Sequence, residues 1–199
     1  MIFDSKSIPS GCAHFPYLPE SVVLPGVLFS DWYADHLPDA HVHCVACNRS
    51  HMFSRYELLG VIFDYDVFTL AHEMGHYLGL LHPFVDGKGN FGDYCDDTPD
   101  YCVNGYETFL SELDETFPYS DDNYRKVIQR VALNGRVFIA DNIMDYEFGY
   151  LDRFTLEQRK RVRTVLENAW LLPGPKIEVE PWARSGKKAV KPSVPKPVS

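Results

Sequence analysis

His72-Glu73-Met74-Gly75-His76-Tyr77-Leu78-Gly79-Leu80-Leu81-His82 is the stretch from which the rest of the chain is read. Set on an α-helix, His72 and His76 lie four residues apart and leave the same face, so both imidazoles can reach one ion. Glu73, beside the first of them, can take a proton from a water activated by that ion. Gly79 permits the positive φ that ends a helix. The turn after it returns His82 as a third ligand, which a straight helix cannot do. Three histidines leave the fourth position of a tetrahedral ion to water, the mark of a catalytic rather than a structural zinc site. A lone His-Glu-x-x-His is a frequent accident of helices. Five fixed positions in eleven arise by chance in such a chain roughly once in a hundred thousand, so the metal reading prevails.

Outward from this run, four further segments follow in order. Gly11-Cys12-Ala13-His14-Phe15-Pro16 lies upstream, and Gly92-Asp93-Tyr94-Cys95-Asp96-Asp97-Thr98-Pro99 follows the third histidine. Asn142-Ile143-Met144-Asp145-Tyr146 and Phe154-Thr155-Leu156-Glu157-Gln158 come later. In this order they resemble the metzincins, and within them the pappalysin-like (cytophagalysin/ulilysin-type) branch, from residue 11 to about residue 170.

The resemblance implies an α+β, metzincin-like peptidase domain over residues 1–172. Its parts are a reduced upper mixed sheet, a central zinc-binding helix, a Met-turn and a C-terminal helix. It implies one catalytic zinc on His72, His76 and His82, with Glu73 as general base in the hydrolysis of peptide bonds in peptides or proteins. Met144 corresponds to the Met-turn residue beneath the zinc, and Tyr146 to a tyrosine that stabilises the oxyanion. Asp93, Asp97 and Thr98 fall where relatives bind calcium, and Asp86, Asn90, Asp96 and Asp100 add oxygen ligands nearby. The chain departs from its relatives in having no cysteine in residues 86–92 or 147–153, which removes the cross-link expected there. An alternative of another class is a truncated, catalytically weak domain that holds zinc and binds peptide without cleaving it.

At 199 residues the chain suits one domain large enough to bury a core. Hydrophobic residues make up 45% and charged ones 24%, an ordinary globular balance. The net charge of −9 is uneven: residues 176–199 hold six basic and two acidic side chains, so the body carries the acidity. An acidic body argues against a nucleic-acid partner and mildly favours cationic substrates. No run of 18 apolar residues is present to span a membrane. The first residues lack a basic start followed by an apolar run, yet the family resembled is exported. Only 71 residues precede His72, too few for the complete upper sheet of a metzincin. The expectation is therefore the carboxy-terminal portion of a longer exported protein, or a late-start reading of it, with the resemblance implying work outside the cell or in its envelope.

Local signals predict the elements. Ser21–Leu24 and Val27–Phe29 read as strand pieces between prolines, and Leu58–Phe63 as a strand. The zinc helix is expected from Tyr65 or Asp66 to Leu78, capped by Asp66, with Phe68, Leu70, Ala71, Met74 and Leu78 buried. Ser120-Asp121-Asp122 caps a helix over Asn123–Leu133 that Asn134-Gly135 ends. Val137–Ile139 leads into the Met144 turn. Thr155 and Gln158 have capping-box spacing at the start of a last helix, whose Val162, Val165, Leu166 and Trp170 face the core. Residues 173–199, rich in Pro, Lys, Ser and Val, read as a flexible tail. Five cysteines leave at least one without a partner in the chain. Cys95 and Cys102 could close a small loop. Cys44 and Cys47, with His41, His43 and His51 nearby, suit a second metal, a local disulfide or buried thiols.

Overall fold

The computed structural model describes residues 2–3, 10–27, 44–49, 55–58, 61–64, 68–89, 91–112, 120–146, 148–170 and 172. Strand β3 (Val45–Asn48) lies between β1 (Ile2–Phe3), which pairs with it in parallel, and β2 (Gly11–Ala13), which pairs antiparallel. Gly11 stands opposite Cys47 in this register. A hairpin of β4 (Arg55–Leu58) and β5 (Val61–Asp64) follows. Helix α1 (Phe68–Tyr77) carries the histidine run and packs against β2 and β3. Beyond it, β6 (Phe84–Val85) pairs in parallel with β7 (Tyr101–Cys102), which leads straight into α2 (Val103–Ser111). Helix α3 (Asp121–Ile128) passes directly into β8 (Gln129–Val131), and β8 forms an antiparallel pair with β9 (Val137–Ile139). Helix α4 (Leu156–Asn168) closes the described chain. Small sheets mixed with helices fit the α+β peptidase domain expected.

Gly79 ends α1 as its sequence position predicts. Its φ is 85°; the Leu80 N–H reaches Gly75 O at 2.9 Å and the Gly79 N–H reaches His76 O at 2.9 Å. This is the Schellman closure, with glycine at the left-handed position. From α4, buried Arg161 donates through Nη2 to Gly79 O at 3.1 Å and Pro25 O at 2.8 Å, locking the turn against the segment before it. Around that lock Leu18, Val27, Val165, Ala169 and Leu172 form one apolar cluster, flanked by Tyr77 and Leu78. Phe84, Tyr101, Val103 and Tyr106 form another, flanked by Phe138.

Several expectations are corrected. Ser21–Leu24 lies in turns and loop rather than a strand, with Val22 N–H on Pro19 O at 2.9 Å and Val27 N–H on Leu24 O at 3.1 Å, while most of the expected Val27–Phe29 piece lies outside the described residues. The prolines set these turns and cannot donate to a ladder. Leu58–Phe63 spans two strands of a hairpin, not one strand. The helix expected over Asn123–Leu133 stops at Ile128, because residues 129–131 pair with 137–139, and Asn134-Gly135 is the hairpin turn, with Gly135 at φ 82°. Its cap is as expected: Ser120 Oγ accepts from the Asn123 N–H at 3.1 Å. Helix α2 was not anticipated, although Val103, Tyr106 and Leu110 recur at helical spacing. On α1 the buried side is Thr69, His72, Glu73, Gly75 and His76, whereas Leu70 and Met74 are exposed. The metal face displaces the apolar face that periodicity suggested. On α4, Val165 is buried but Leu166 is exposed. The Asp66 cap and the tail from 173 lie outside the described residues.

Candidate metal centre

The three histidines converge. His72 Nε2 lies 3.1 Å from His76 Nε2 and 3.1 Å from His82 Nε2, and His76 Nε2 lies 3.0 Å from His82 Nε2. Hydrogen bonding among these nitrogens cannot account for the triangle. His72 Nδ1 donates to Ile143 O at 2.9 Å and His76 Nδ1 to Leu80 O at 2.8 Å. Carbonyl oxygens only accept, so both Nδ1 atoms carry the proton and both Nε2 atoms present bare lone pairs. A proton does not sit well between them either. Burial, then the neighbouring His76 and His82, push His72 down to about 3, against the opposing bond to Ile143. Burial lowers His76 as well. The His72 and His76 lone pairs, facing each other at this distance on rings whose burial disfavours the protonated form, fit a shared cation. Three imidazole nitrogens suit zinc.

Glu73 is buried on the same helix, and desolvation raises its carboxyl to about 7. Its space is made by Gly11 on β2: a Cβ built there would lie 2.6 Å from Glu73 Cγ and 2.8 Å from Oε1. Gly11 belongs to the upstream motif, but nothing in that motif indicates that its lack of a side chain serves the glutamate. Met144 is fully buried with its sulfur against Gly75, where a Cβ would collide with Sδ.

Tyr146 lies beside the triad, its ring centroid 4.5 Å from that of His82 and 5.6 Å from that of His72, with the residue 41% exposed. His82 in turn stacks on Phe84 at 4.7 Å with an interplanar angle of 8°. The backbone of Tyr146 is held from beneath. Its N–H donates to Asp145 Oδ1 at 2.7 Å, and its carbonyl accepts from Arg130 Nη2 at 3.1 Å. Buried Arg130 also donates to Phe148 O at 2.9 Å and Val127 O at 3.1 Å, and its guanidinium carbon lies 3.4 Å from the centroid of the Tyr106 ring. The Tyr101 hydroxyl donates to Asp145 Oδ1, and Asp145 Oδ2 lies 4.0 Å from Arg130 Nε. Arg130 and Tyr101 are structural supports of the Tyr146 backbone that sequence reading missed.

The geometry does not support calcium on Asp93, Asp97 and Thr98, because the two carboxylates face protein donors and the Thr98 hydroxyl donates to Asp93 and to Cys95 O. Asp93 is buried and accepts from Cys95 N–H at 3.1 Å, Gln158 Nε2 at 2.9 Å and Thr98 Oγ1 at 2.9 Å. Asp97 lies on the surface and accepts from the Glu157 N–H at 3.0 Å, while Glu157 Oε2 accepts from the Asp96 N–H at 2.6 Å. These residues tie the loop to the start of α4. The cysteine expectations also change. Cys95 is buried and Cys102 exposed, both as free thiols. Cys44 and Cys47 are free as well. Three residues of nearly extended chain at about 3.3 Å each separate them by roughly 10 Å, beyond disulfide reach. His41, His43 and His51 lie outside the described residues.

Three imidazoles on a helix and its following turn, with a buried carboxylate beside the first, form the constellation that metal-dependent hydrolases use. The family profile of peptidase M43, described as pregnancy-associated plasma protein-A, matches residues 30–167. With more than half of its length matched, the chain belongs to this pappalysin family of the metzincins. No curated protein and no solved structure matches it. The family is one of zinc metallopeptidases acting on peptides or proteins. Among the described residues no helix is long and apolar enough to cross a membrane.

Proposed function

We propose that this chain is a zinc-dependent endopeptidase in which His72, His76 and His82 hold the metal and Glu73 is the general base. The observation that carries the reading is the triangle of Nε2 atoms next to a desolvated carboxylate, in a chain of a peptidase family. Zinc, when bound, supplies Lewis-acid polarisation of the scissile carbonyl and makes water acidic enough to attack near neutral pH. Glu73, poised near neutrality by its burial, accepts the proton of the attacking water and delivers it to the departing amine nitrogen. Tyr146, packed on His82, brings a phenolic donor to the developing oxyanion. Met144, seated behind α1 at Gly75, serves as the Met-turn floor of the centre.

The test is zinc content together with cleavage of a denatured protein, comparing the chain with Glu73→Ala. Both are expected to bind one zinc, and the variant to lose cleavage by about 100-fold to 10,000-fold. Equal turnover in the variant would reject Glu73 as base. Zinc binding without cleavage by the wild type would leave a binding domain instead of an enzyme.

A further inference from the structure

His72 takes its orientation from the carbonyl of Ile143, and the turn bearing that carbonyl is held from α4. Gln158 is completely buried. Its Nε2 donates to Asp93 Oδ2 at 2.9 Å and to Asn142 Oδ1 at 3.2 Å. Its Oε1 accepts from Asn142 Nδ2 at 2.9 Å and from the Thr155 N–H at 3.0 Å. All the hydrogen-bonding capacity of this amide is thereby used. Asn142 Oδ1 accepts in addition from the Met144 N–H at 2.9 Å, closing an Asx turn around Ile143. The Ile143 carbonyl then accepts the His72 Nδ1 proton at 2.9 Å. An unbroken path runs from Asp93 through Gln158 and Asn142 into the turn and on to the imidazole.

A helix cap alone requires much less. The capping box of α4 uses Gln158 Oε1 on the Thr155 N–H, with Thr155 Oγ1 accepting from the Gln158 N–H at 3.3 Å. Glutamate at that position caps equally well. What capping leaves unexplained is the donating half of the amide, which faces Asp93 and Asn142 in the interior.

We propose that Gln158 and Asn142 are positioning residues for the metal centre: the amide pair fixes the turn whose Ile143 carbonyl keeps His72 protonated on Nδ1, with Nε2 directed at the metal. The inference rests on the reading of His72, His76 and His82 as the zinc ligands. Outer partners that set the tautomer and angle of a ligating histidine typically change metal affinity by about 10-fold to 100-fold when lost.

Gln158→Glu separates the two roles, because it keeps the cap and turns the donor toward Asp93 and Asn142 into an acceptor. Three measurements on the full chain decide the matter: zinc affinity by competition with a chromophoric chelator, the melting temperature, and the ring 15N shifts of His72 without metal. In the metal-free wild type His72 is expected to carry its proton on Nδ1. Gln158→Glu is expected to weaken zinc binding by about 10-fold to 100-fold and to blur that tautomer. Combining it with Asp93→Asn, which restores a donor opposite the new carboxylate, is expected to recover part of the loss. Ser120→Ala, which removes the cap of α3 and touches neither α1 nor the Ile143 turn, should lower the melting temperature with zinc affinity unchanged. Zinc binding that Gln158→Glu leaves at the wild-type level overturns this inference alone. So does a metal-free wild type with His72 protonated on Nε2, an observation that needs no variant to fold. Failure of the wild type to bind zinc overturns the metal reading, and this inference with it.

Discussion

Glu73 and Gly11 illustrate how a functional carboxylate depends on a residue with no chemistry of its own. A glutamate desolvated enough to titrate near 7 must be covered on several sides, and β2 provides part of that cover at backbone distance. A methyl group at Gly11 would lie 2.6 Å from Glu73 Cγ, closer than carbon atoms approach without contact strain, so the flexible glutamate must turn aside. Gly11→Ala is therefore expected to lower cleavage by roughly 100-fold, the penalty of moving a catalytic group by about 1 Å. Zinc content should stay at the wild-type level, since the imidazoles are not touched. Metal analysis beside kcat/KM checks this, and unchanged turnover would show that Glu73 can work from a second position. Gly75 stands in the same relation to the Met144 sulfur.

The elements show where local chemistry decides structure and where it does not. Helix α4 starts where the chain says it does because Thr155, Gln158 and the intervening backbone satisfy one another within four residues. A second anchor comes from 58 residues upstream, where Asp97 accepts from Thr155 Oγ1 and from the Leu156 and Glu157 N–H groups. Slight burial works against the charged form of Asp97, but these donors outweigh it and hold the carboxyl below the usual aspartate value. A carboxyl depressed in the folded state stabilises above its unfolded pKa and loses that contribution as pH falls through the folded value. Asp97→Ala is thus expected to cost about 1 kcal/mol at pH 7. The difference from wild type should shrink as the pH drops from about 4. Urea melts at neutral and acid pH measure it, and a difference that persists in acid would place the effect outside this carboxylate. The same contrast explains what was legible in the sequence. The histidine run, the Gly79 stop and the caps at Ser120 and Thr155 are local and were readable. The use of Asp93 and Asp97 was not, because the partners that decide it, Gln158 Nε2 and the Glu157 N–H, lie in α4. Nor was the end of α3 at Ile128, where pairing with β9 overrides the helical pattern. The exposure of Leu70 and Met74 was misread because α1 turns its histidines and glutamate inward.

At the scale of the molecule, the metal site and the apolar clusters are separate sources of stability. Leu18, Val27, Val165, Ala169 and Leu172 bind α4 to the segment before β3, and Phe84, Tyr101, Val103 and Tyr106 bind β6, β7 and α2. None of the three metal-facing imidazoles belongs to either cluster, so the fold has a core without zinc. The bare Nε2 atoms of His72 and His76, 3.1 Å apart, nevertheless repel one another until a cation joins them. A zinc held by all three would also connect α1 to the chain beyond its terminal turn. Ligand that binds only the folded state stabilises by mass action, about 4 kcal/mol at a thousandfold excess over Kd. For a chain of this size each kcal/mol moves the melting temperature by about 2–4 °C, so saturating zinc is expected to raise it by roughly 10 °C. The chelated protein should keep its far-ultraviolet circular dichroism at 25 °C and melt earlier, while His82→Ala should melt at the same temperature with or without zinc. If chelation unfolded the chain outright, the two clusters could not sustain the fold, and zinc would be its structural staple as well as its catalytic centre.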